Sequence, residues 1–261
     1  MIADVFARAR AQGRAALILY LVAGDPDLET TAAVIEAIGE AGADLVELGI
    51  PYADPLADGP VIAAAAHRSL ERGTKMRDVL ALAAGTKVPL LFFSYVNPIV
   101  QYGAERFARE ARAAGALGAI VPDVPLEELD AFAPALRAAG LELPLLVAPT
   151  TPAGRALALA RASDGFLYVV SRLGVTGAKR EPDTAWIGGA LERIRAGVPR
   201  QPLAVGFGIS TPAHVAAVGA LADGVIVGSA LVELIAGKSP REAADAAREY
   251  VGALRAALPQ R

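Results

Sequence analysis

The sequence contains no cysteine and only two histidines, His67 and His214, among its 261 residues. Without cysteine the chain can form no disulfide, no thiolate nucleophile and no cysteine-bound metal site. Both histidines fall in segments of helical pattern, and we predict that both lie on helix surfaces. A histidine metal site would need a further ligand of another kind, so we expect no metal. Proton transfer must then depend on carboxylates, tyrosines or lysines.

Long uncharged apolar runs and blocks of basic residues are also missing. No stretch of about 18 or more apolar residues is free of charge, which argues against a membrane span. The first eight residues mix charged and apolar side chains without the apolar core of a signal peptide, so we expect a cytoplasmic protein. The net charge is −3 with acids and bases interspersed, which argues against nucleic acid as a partner. With 54% hydrophobic residues, the chain can bury a large core.

Eight short apolar segments alternate with alanine-rich segments of helical pattern. This alternation predicts an α/β protein in which crossover helices join parallel strands. Eight such units close more naturally into a (β/α)₈ barrel, or TIM barrel, than into an open sheet. An open doubly wound sheet is the alternative. The predicted strands are 17–22, 44–49, 89–94, 118–122, 143–147, 166–170, 202–206 and 224–227.

Three helical segments exceed the basic repeat. Residues 2–12 precede the first strand, and we predict that they cover the bottom of the barrel. Residues 60–84 follow the second strand as two helices, and residues 239–257 follow the eighth strand as an amphipathic helix. The sequence has no linker and no change of composition. We therefore predict that residues 1–261 form a single catalytic barrel domain.

Glu47 is the first candidate for catalysis, because active sites of such barrels form at the carboxyl ends of the strands. Its strand ends in Leu-Val-Glu-Leu-Gly, residues 45–49. Val46 and Leu48 are the natural helix-facing residues, so alternation should direct Glu47 into the barrel mouth. Burial among aliphatic side chains raises the pKa of a carboxyl group and suits it to donate a proton near neutral pH. The alternative is a structural ion pair, but this strand carries no basic residue.

The loop that follows, residues 49–60, contains three prolines and two glycines. This composition predicts a stiff loop that could hold a second carboxylate in place. Asp54 and Asp58 are the candidates. For each of them the alternative is a local Asx turn or a helix cap, and the residues alone do not choose between the two.

Glycine turns follow the seventh and eighth strands, at Gly206-Phe207-Gly208 and at Gly228-Ser229. Glycine lets backbone N–H groups approach an anion, and a short helix starting near Ser229 would add the positive end of its dipole. Loops after the last two strands are the recurrent phosphate site of this barrel. The two turns therefore predict a phosphorylated ligand.

A polar segment with two glycines, residues 172–186, follows the sixth strand. We predict that it closes over a bound ligand as a lid. Thr176 is its principal candidate for a functional residue.

Together these segments resemble the alpha subunit family of tryptophan synthase, over essentially the whole chain. The resemblance implies retro-aldol cleavage of indole-3-glycerol phosphate to indole and glyceraldehyde 3-phosphate, with no cofactor or metal on this chain. Two alternatives are a stand-alone lyase that releases indole and a weakly catalytic subunit that regulates a partner. The motifs that carry the resemblance are Gly24-Asp25-Pro26, residues 47–60, residues 95–98, Asp123-Val124-Pro125, residues 171–177, residues 206–210 and Gly228-Ser229.

The resemblance also assigns roles to individual residues. It implies that Glu47 delivers a proton to indole C3 and that Asp58 stabilises positive charge on the indole nitrogen. Tyr168 is grouped with these catalytic residues and also lies against the indole. The remaining assignments are Tyr20, Phe93, Ile120, Val147 and Thr176 for the indole pocket, and Gly177, Gly206, Phe207, Gly208, Gly228 and Ser229 for the phosphate.

A partner is implied as well. The resemblance predicts a beta subunit that carries pyridoxal phosphate, in an α₂β₂ heterotetramer with allosteric coupling. Indole would pass directly between the active sites and be joined with serine to make L-tryptophan. Asp54, Pro55, Asp123 and Pro125 are predicted to face that subunit.

Overall fold

Eight parallel strands form the centre of the molecule. The computed structural model describes residues 1–171 and 181–261. The strands are β1 Ala16–Val22, β2 Leu45–Gly49, β3 Leu90–Phe93, β4 Ala119–Ile120, β5 Leu145–Val147, β6 Leu167–Val170, β7 Leu203–Gly206 and β8 Gly224–Val227. Neighbours pair in the order β4-β3-β2-β1-β8-β7-β6-β5. Consecutive strands are thus neighbours throughout, as a barrel requires.

The barrel closes between β4 and β5 through a single bridge, which joins Gly118 to Glu142. The N–H of Ala119 donates to the Glu142 carbonyl at 2.9 Å, and the N–H of Glu142 donates to the Leu117 carbonyl at 3.0 Å. The predicted TIM barrel is confirmed, and the open sheet is excluded. Strand β4 is shorter than the predicted 118–122, because a turn at residues 121–124 follows it directly.

Twelve α-helices lie within the described ranges. They include the predicted extra helices before β1, after β2 and after β8. Helix α5, which contains Pro98, was not predicted. This proline occupies the first turn, where no N–H is needed for an intrahelical hydrogen bond. The helices are α1 Ile2–Ala11, α2 Leu28–Glu40, α3 Pro60–Glu71, α4 Met76–Ala84, α5 Val96–Tyr102, α6 Ala104–Ala113, α7 Leu129–Ala138, α8 Ala153–Ala162, α9 Thr184–Gly197, α10 Pro212–Gly219, α11 Ser229–Ile235 and α12 Pro240–Ala257.

Strand alternation divides the core into an outer layer, packed against the helices, and an inner layer around the barrel axis. On β1, Leu19 and Leu21 belong to the outer layer, whereas Ile18 and Tyr20 belong to the inner one. Each fully buried leucine or isoleucine stabilises the fold by about 1.5–3 kcal/mol. Helix α1 covers the amino end of the barrel, as predicted, and the ring of Phe6 lies 5.3 Å from that of Phe166.

The two histidines differ in environment. His67 is exposed on α3, but His214 is only 6% exposed, so its predicted surface position is wrong. The first turn of α10 packs against the loop after β7, where the N–H of Ser210 donates to His214 Nδ1 at 3.3 Å. Across the described ranges, no helix combines the length and apolar composition needed to cross a membrane.

Candidate active site

A cavity opens at the carboxyl ends of the strands. Its walls come from β1, β2, β3, β6 and β8, from the loops after β2, β7 and β8, and from the first turn of α3. Side chains that the sequence places far apart meet here because every strand of a parallel barrel ends at the same rim. The residues that line the cavity are Tyr20, Glu47, Asp58, Ile62, Phe93, Tyr168, Phe207, Gly208, Ile209, Ile226, Gly228 and Ser229.

Glu47 lies in the inner layer between Tyr20 on β1 and Leu91 on β3. Its side chain is 1% exposed, and Oε1 has no hydrogen-bond partner among the described residues. Burial raises the pKa of Glu47 to about 8, because an apolar wall disfavours the charged form. The carboxyl group is therefore mostly protonated at neutral pH and able to donate a proton into the cavity.

Asp58 reaches the cavity from the loop after β2, which Tyr95 holds in place. The N–H of Ala57 donates to Tyr95 Oη at 2.9 Å. Burial raises the pKa of Asp58 to about 6, and a hydrogen bond from Tyr95 to the carboxylate opposes that rise. Asp58 is thus mostly ionised at neutral pH, in contrast to Glu47.

Asp54 and Asp58, the two aspartates of this loop, have different environments in the structure. Asp58 lines the cavity, whereas Asp54 is exposed. Helix α3 begins after Gly59, and no side chain caps it. The alternative interpretation of Asp58 as a helix cap is therefore excluded.

Aromatic rings give the cavity its shape. Tyr20 and Phe93 meet edge to face with 5.6 Å between ring centres, and Tyr168 and Phe207 do so at 5.9 Å. Burial raises the pKa of Tyr20 and Tyr168 well above the usual value, so both phenols stay neutral. A Cβ at Gly206 would collide with the Tyr168 hydroxyl, so only glycine leaves room for this ring.

The loop after β7, residues 206–210, has an unusual backbone. Phe207 and Gly208 both have positive φ, at 75° and 74°. The N–H of Ser171 donates to the Gly206 carbonyl at 3.0 Å, and the Ser171 hydroxyl donates to the Phe207 carbonyl. The loop brings the backbone of Gly208 to the cavity that Gly228 and Ser229 also line.

Comparison with known proteins identifies the family. The family model of the tryptophan synthase alpha chain matches residues 6–258. The tryptophan synthase alpha chain of Synechocystis is 46% identical to this chain, and the alignment covers 98% of each protein. That of Arabidopsis thaliana is 43% identical, over 98% of this chain and 95% of the plant protein. A chain of Mycobacterium tuberculosis tryptophan synthase superposes with a TM-score of 0.90 at 38% identity, over 98% of this chain and 97% of that one.

The chain belongs to the tryptophan synthase alpha chain family. It is a lyase of tryptophan biosynthesis that cleaves indole-3-glycerol phosphate. The expectation drawn from the motifs is confirmed at this level. The described part of this family member contains no group of three or more metal-ligating side chains.

Ile120 and Val147, both predicted for the indole pocket of this alpha chain family member, lie in different layers of the core. Ile120 lies in the inner layer, paired with Phe93 across β3 and β4. Val147 lies in the outer layer and faces α8 and α9, including Trp186. The structure thus places Val147 outside the pocket that it was predicted to line. Alternation along β5 turns the preceding residue, Leu146, toward the inner layer instead.

Other predicted residues lie outside the cavity or outside the described ranges. Thr176 and Gly177, with the rest of 172–180, are outside the described residues. Asp54, Asp123 and Pro125 are exposed, and Pro55 is half-buried.

Three cavity residues were missed by sequence reasoning. Ile226 could have been found, because it lies two residues before Gly228 on the inner side of β8. Ile62 and Ile209 lie on a helix turn and a loop, where no strand periodicity marks them.

Proposed function

We propose that Glu47 and Asp58 divide the chemistry of indole-3-glycerol phosphate cleavage between them. The strongest support is that both carboxyl groups line one cavity but differ in pKa: burial raises the pKa of Glu47 to about 8 and that of Asp58 only to about 6. Near neutral pH one carboxyl is an acid and the other an anion. Two titratable groups whose environments separate their pKa values are the usual basis for acid and base roles.

The proton balance of the reaction fits this division. Glu47 donates its proton to indole C3, so that the ring becomes an electron sink. The adjacent side-chain hydroxyl then loses its proton to the Glu47 carboxylate as the carbon–carbon bond breaks. The bond electrons return to the ring, which leaves as indole, and the hydroxyl carbon becomes the aldehyde of glyceraldehyde 3-phosphate. Glu47 ends protonated, ready for the next turnover.

Asp58 stabilises the cation that exists between these two steps. Protonation at C3 places positive charge on the indole nitrogen, whose N–H can donate to an anionic carboxylate. A charge held in place before the reaction stabilises the transition state without reorganisation. The Tyr95 hydroxyl keeps the Asp58 carboxyl largely ionised and fixes the loop that carries it.

The remaining cavity residues bind the substrate. The indole ring lies against Tyr20, Phe93 and Tyr168, with Tyr168 next to both carboxyl groups. The phosphate is bound by backbone N–H groups of the loops after β7 and β8, at Gly206, Phe207, Gly208, Gly228 and Ser229. Residues 1–261 act as one catalytic domain in the cytoplasm, and no step needs a cofactor on this chain.

The pH dependence of kcat/KM tests the two assignments. We expect a bell-shaped profile with limbs near pH 6 and pH 8, because activity needs Asp58 ionised and Glu47 protonated. The substrate phosphate also titrates near pH 6, so the variants decide the origin of each limb. Asp58→Asn should lose the acid limb and Glu47→Gln the alkaline one. An acid limb that persists in Asp58→Asn would assign it to the substrate instead.

Exposed apolar side chains lie on the loop after β2 and on α5. Leu56 and Val100 are 78% and 58% exposed, and with Met1 they are the exposed large hydrophobic side chains of the described ranges. Helix α5 joins the loops on either side: Asn97 donates to Tyr52 Oη at 3.0 Å, and the N–H of Val96 donates to Asp123 at 2.9 Å. Exposed apolar side chains on a rigid frame are typical of an interface.

We propose that this surface binds a tryptophan synthase beta subunit, in an α₂β₂ assembly with allosteric coupling. It includes the predicted contact residues Asp54, Pro55, Asp123 and Pro125. The beta subunit carries pyridoxal phosphate, receives the indole directly and joins it with serine. The matched structures are of tryptophan synthase, which supports such a partner.

The partner proposal predicts that a beta subunit raises the lyase rate of the parent chain. Val100→Glu should weaken that subunit's binding about ten-fold or more, because it places a charge in a desolvated apolar contact, and should keep the lyase rate of the isolated chain. Ala32→Glu, on the exposed side of α2, is the matched control and should bind normally. A lyase rate that is high alone and unchanged by a beta subunit would favour a stand-alone lyase.

A further inference from the structure

The loop after β7 needs support from its surroundings. Phe207 has a φ of 75°, in the left-handed region that a bulky side chain occupies only under strain. Such a backbone keeps its shape where neighbouring groups hold it. If the loop moved, its N–H groups would no longer converge on one anion.

The first end of the loop is held by the sheet. Ser171 directly follows β6, and its N–H and hydroxyl donate to the carbonyls of Gly206 and Phe207. These hydrogen bonds continue the parallel pairing of β6 and β7. The position of this end therefore follows from the barrel itself.

The far end, at Ser210, is held by two side chains from helices. Tyr250 of α12 donates its hydroxyl to the Ser210 carbonyl at 2.6 Å, and the Ser210 N–H donates to His214 Nδ1 at 3.3 Å. His214 thus accepts this hydrogen bond through Nδ1. Its Nε2 lies 3.4 Å from the Glu181 carboxylate. Both hydrogen-bonding groups of the Ser210 backbone are thus bound by side chains.

The Tyr250 hydroxyl is not what anchors α12. That helix is anchored by buried apolar residues, namely Ala243, Ala247, Val251 and Leu254. The hydroxyl instead reaches 40 positions back along the chain to the loop. Neither Tyr250 nor His214 lines the cavity.

We propose that Tyr250 and His214 are positioning residues for the substrate phosphate, which act by fixing the peptide of Ser210 and with it the backbone of Phe207 and Gly208. The inference rests on the proposed phosphate role of this loop. Because neither side chain touches the reacting atoms, their loss should weaken binding of phosphorylated ligands and leave proton transfer intact.

The reverse reaction, condensation of indole with glyceraldehyde 3-phosphate, gives a separate KM for the ligand that carries the phosphate and for indole. Tyr250→Phe should raise KM for glyceraldehyde 3-phosphate roughly three- to ten-fold, the effect of one hydrogen bond, with KM for indole and kcat within about two-fold. Tyr102→Phe is the matched control, since its hydroxyl binds Glu110 far from the loop. Two results would overturn the proposal. One is an equal change in both KM values of Tyr250→Phe, and the other is no change in either KM while its thermal unfolding matches that of the parent.

Substitutions at His214 provide a second, independent test. Asparagine can place an acceptor near the position of Nδ1, whereas leucine cannot. His214→Asn should therefore keep KM for glyceraldehyde 3-phosphate close to the parent's, and His214→Leu should raise it. Equal KM values in the two variants would contradict a role through Ser210.

Gly208→Ala distinguishes failure of this inference from failure of the phosphate site. It strains the loop directly, because Gly208 has a φ of 74°, which alanine adopts only at a cost. If Gly208→Ala raises KM for glyceraldehyde 3-phosphate and Tyr250→Phe does not, the positioning role is wrong and the phosphate site stands. If neither variant raises it, the proposed phosphate site is wrong as well.

Discussion

Glu47→Gln should lower the lyase rate by roughly 10²- to 10⁴-fold, the usual loss when a general acid is removed. Glutamine has the same shape and can still donate a hydrogen bond, but it cannot transfer a proton to indole C3. Binding of glyceraldehyde 3-phosphate should persist, because the glycine loops are untouched. The measurement is steady-state cleavage of indole-3-glycerol phosphate beside the affinity for the phosphorylated product.

Glu36→Gln, on the exposed face of α2, is the matched control and should keep the parent rate. Near-normal turnover in Glu47→Gln would rule out the proton-transfer role. Loss of phosphate binding together with turnover would show that the substitution had damaged the cavity as a whole.

The same substitution should change how stability depends on pH. The folded pKa of Glu47 is about 8 against 4.5 for the free side chain, so between these values the folded chain holds a proton that the unfolded chain has lost. The free energy of unfolding should therefore fall as pH rises through this window, by roughly 3 kcal/mol at pH 7. Glutamine does not titrate, so Glu47→Gln lacks this pH-dependent loss. Measured by chemical denaturation, the free energy of unfolding of Glu47→Gln minus that of the parent should therefore increase from pH 5 to pH 8.

Asp58→Asn should lower the lyase rate by roughly 10²- to 10³-fold, comparable to the loss of one electrostatic contact to a charged intermediate. Asparagine keeps an oxygen that can accept from the indole N–H and from Tyr95, but it carries no charge. The cation formed on protonation at C3 would then lack its counter-charge, while indole and phosphate would still bind. The loss should appear in kcat and kcat/KM alike.

Asp130→Asn, at an exposed position on α7, controls for the loss of one negative charge. If Asp58→Asn raised KM for indole-3-glycerol phosphate and left kcat unchanged, Asp58 would be a binding residue and not an electrostatic catalyst. Asp58→Ala adds a further comparison, since it removes the hydrogen bond as well as the charge.

Strand patterns predicted the barrel and the inward placement of Glu47 well. The period of two along 45–49 directs Glu47 inward, and the structure places it there because each flanking leucine or valine packs against a helix. The same reasoning, applied residue by residue to β5, would have chosen Leu146 over Val147. That prediction was carried over from the family, and the alternation of the strand contradicts it.

Positions outside regular strands were harder to predict. Asp54 and Asp58 lie in one proline-rich loop with equivalent local sequences, and no periodicity separates them. Their different burial arises from Tyr95, which lies 37 positions beyond Asp58 and orders the loop through Ala57. The burial of His214 likewise depends on Ser210 and the packing of α10.

The amino-acid sequence alone was enough to predict the barrel, the inward face of β2, the glycine turns after β7 and β8, and the family. These features depend on short-range periodicity and on backbone freedom, which neighbouring residues decide. The folded barrel was needed to establish how far burial raises the pKa values of Glu47 and Asp58, that Val147 lies outside the cavity, and that Tyr250 and His214 support the β7 loop. Such properties depend on desolvation and on contacts between distant segments, which exist only once the barrel has closed.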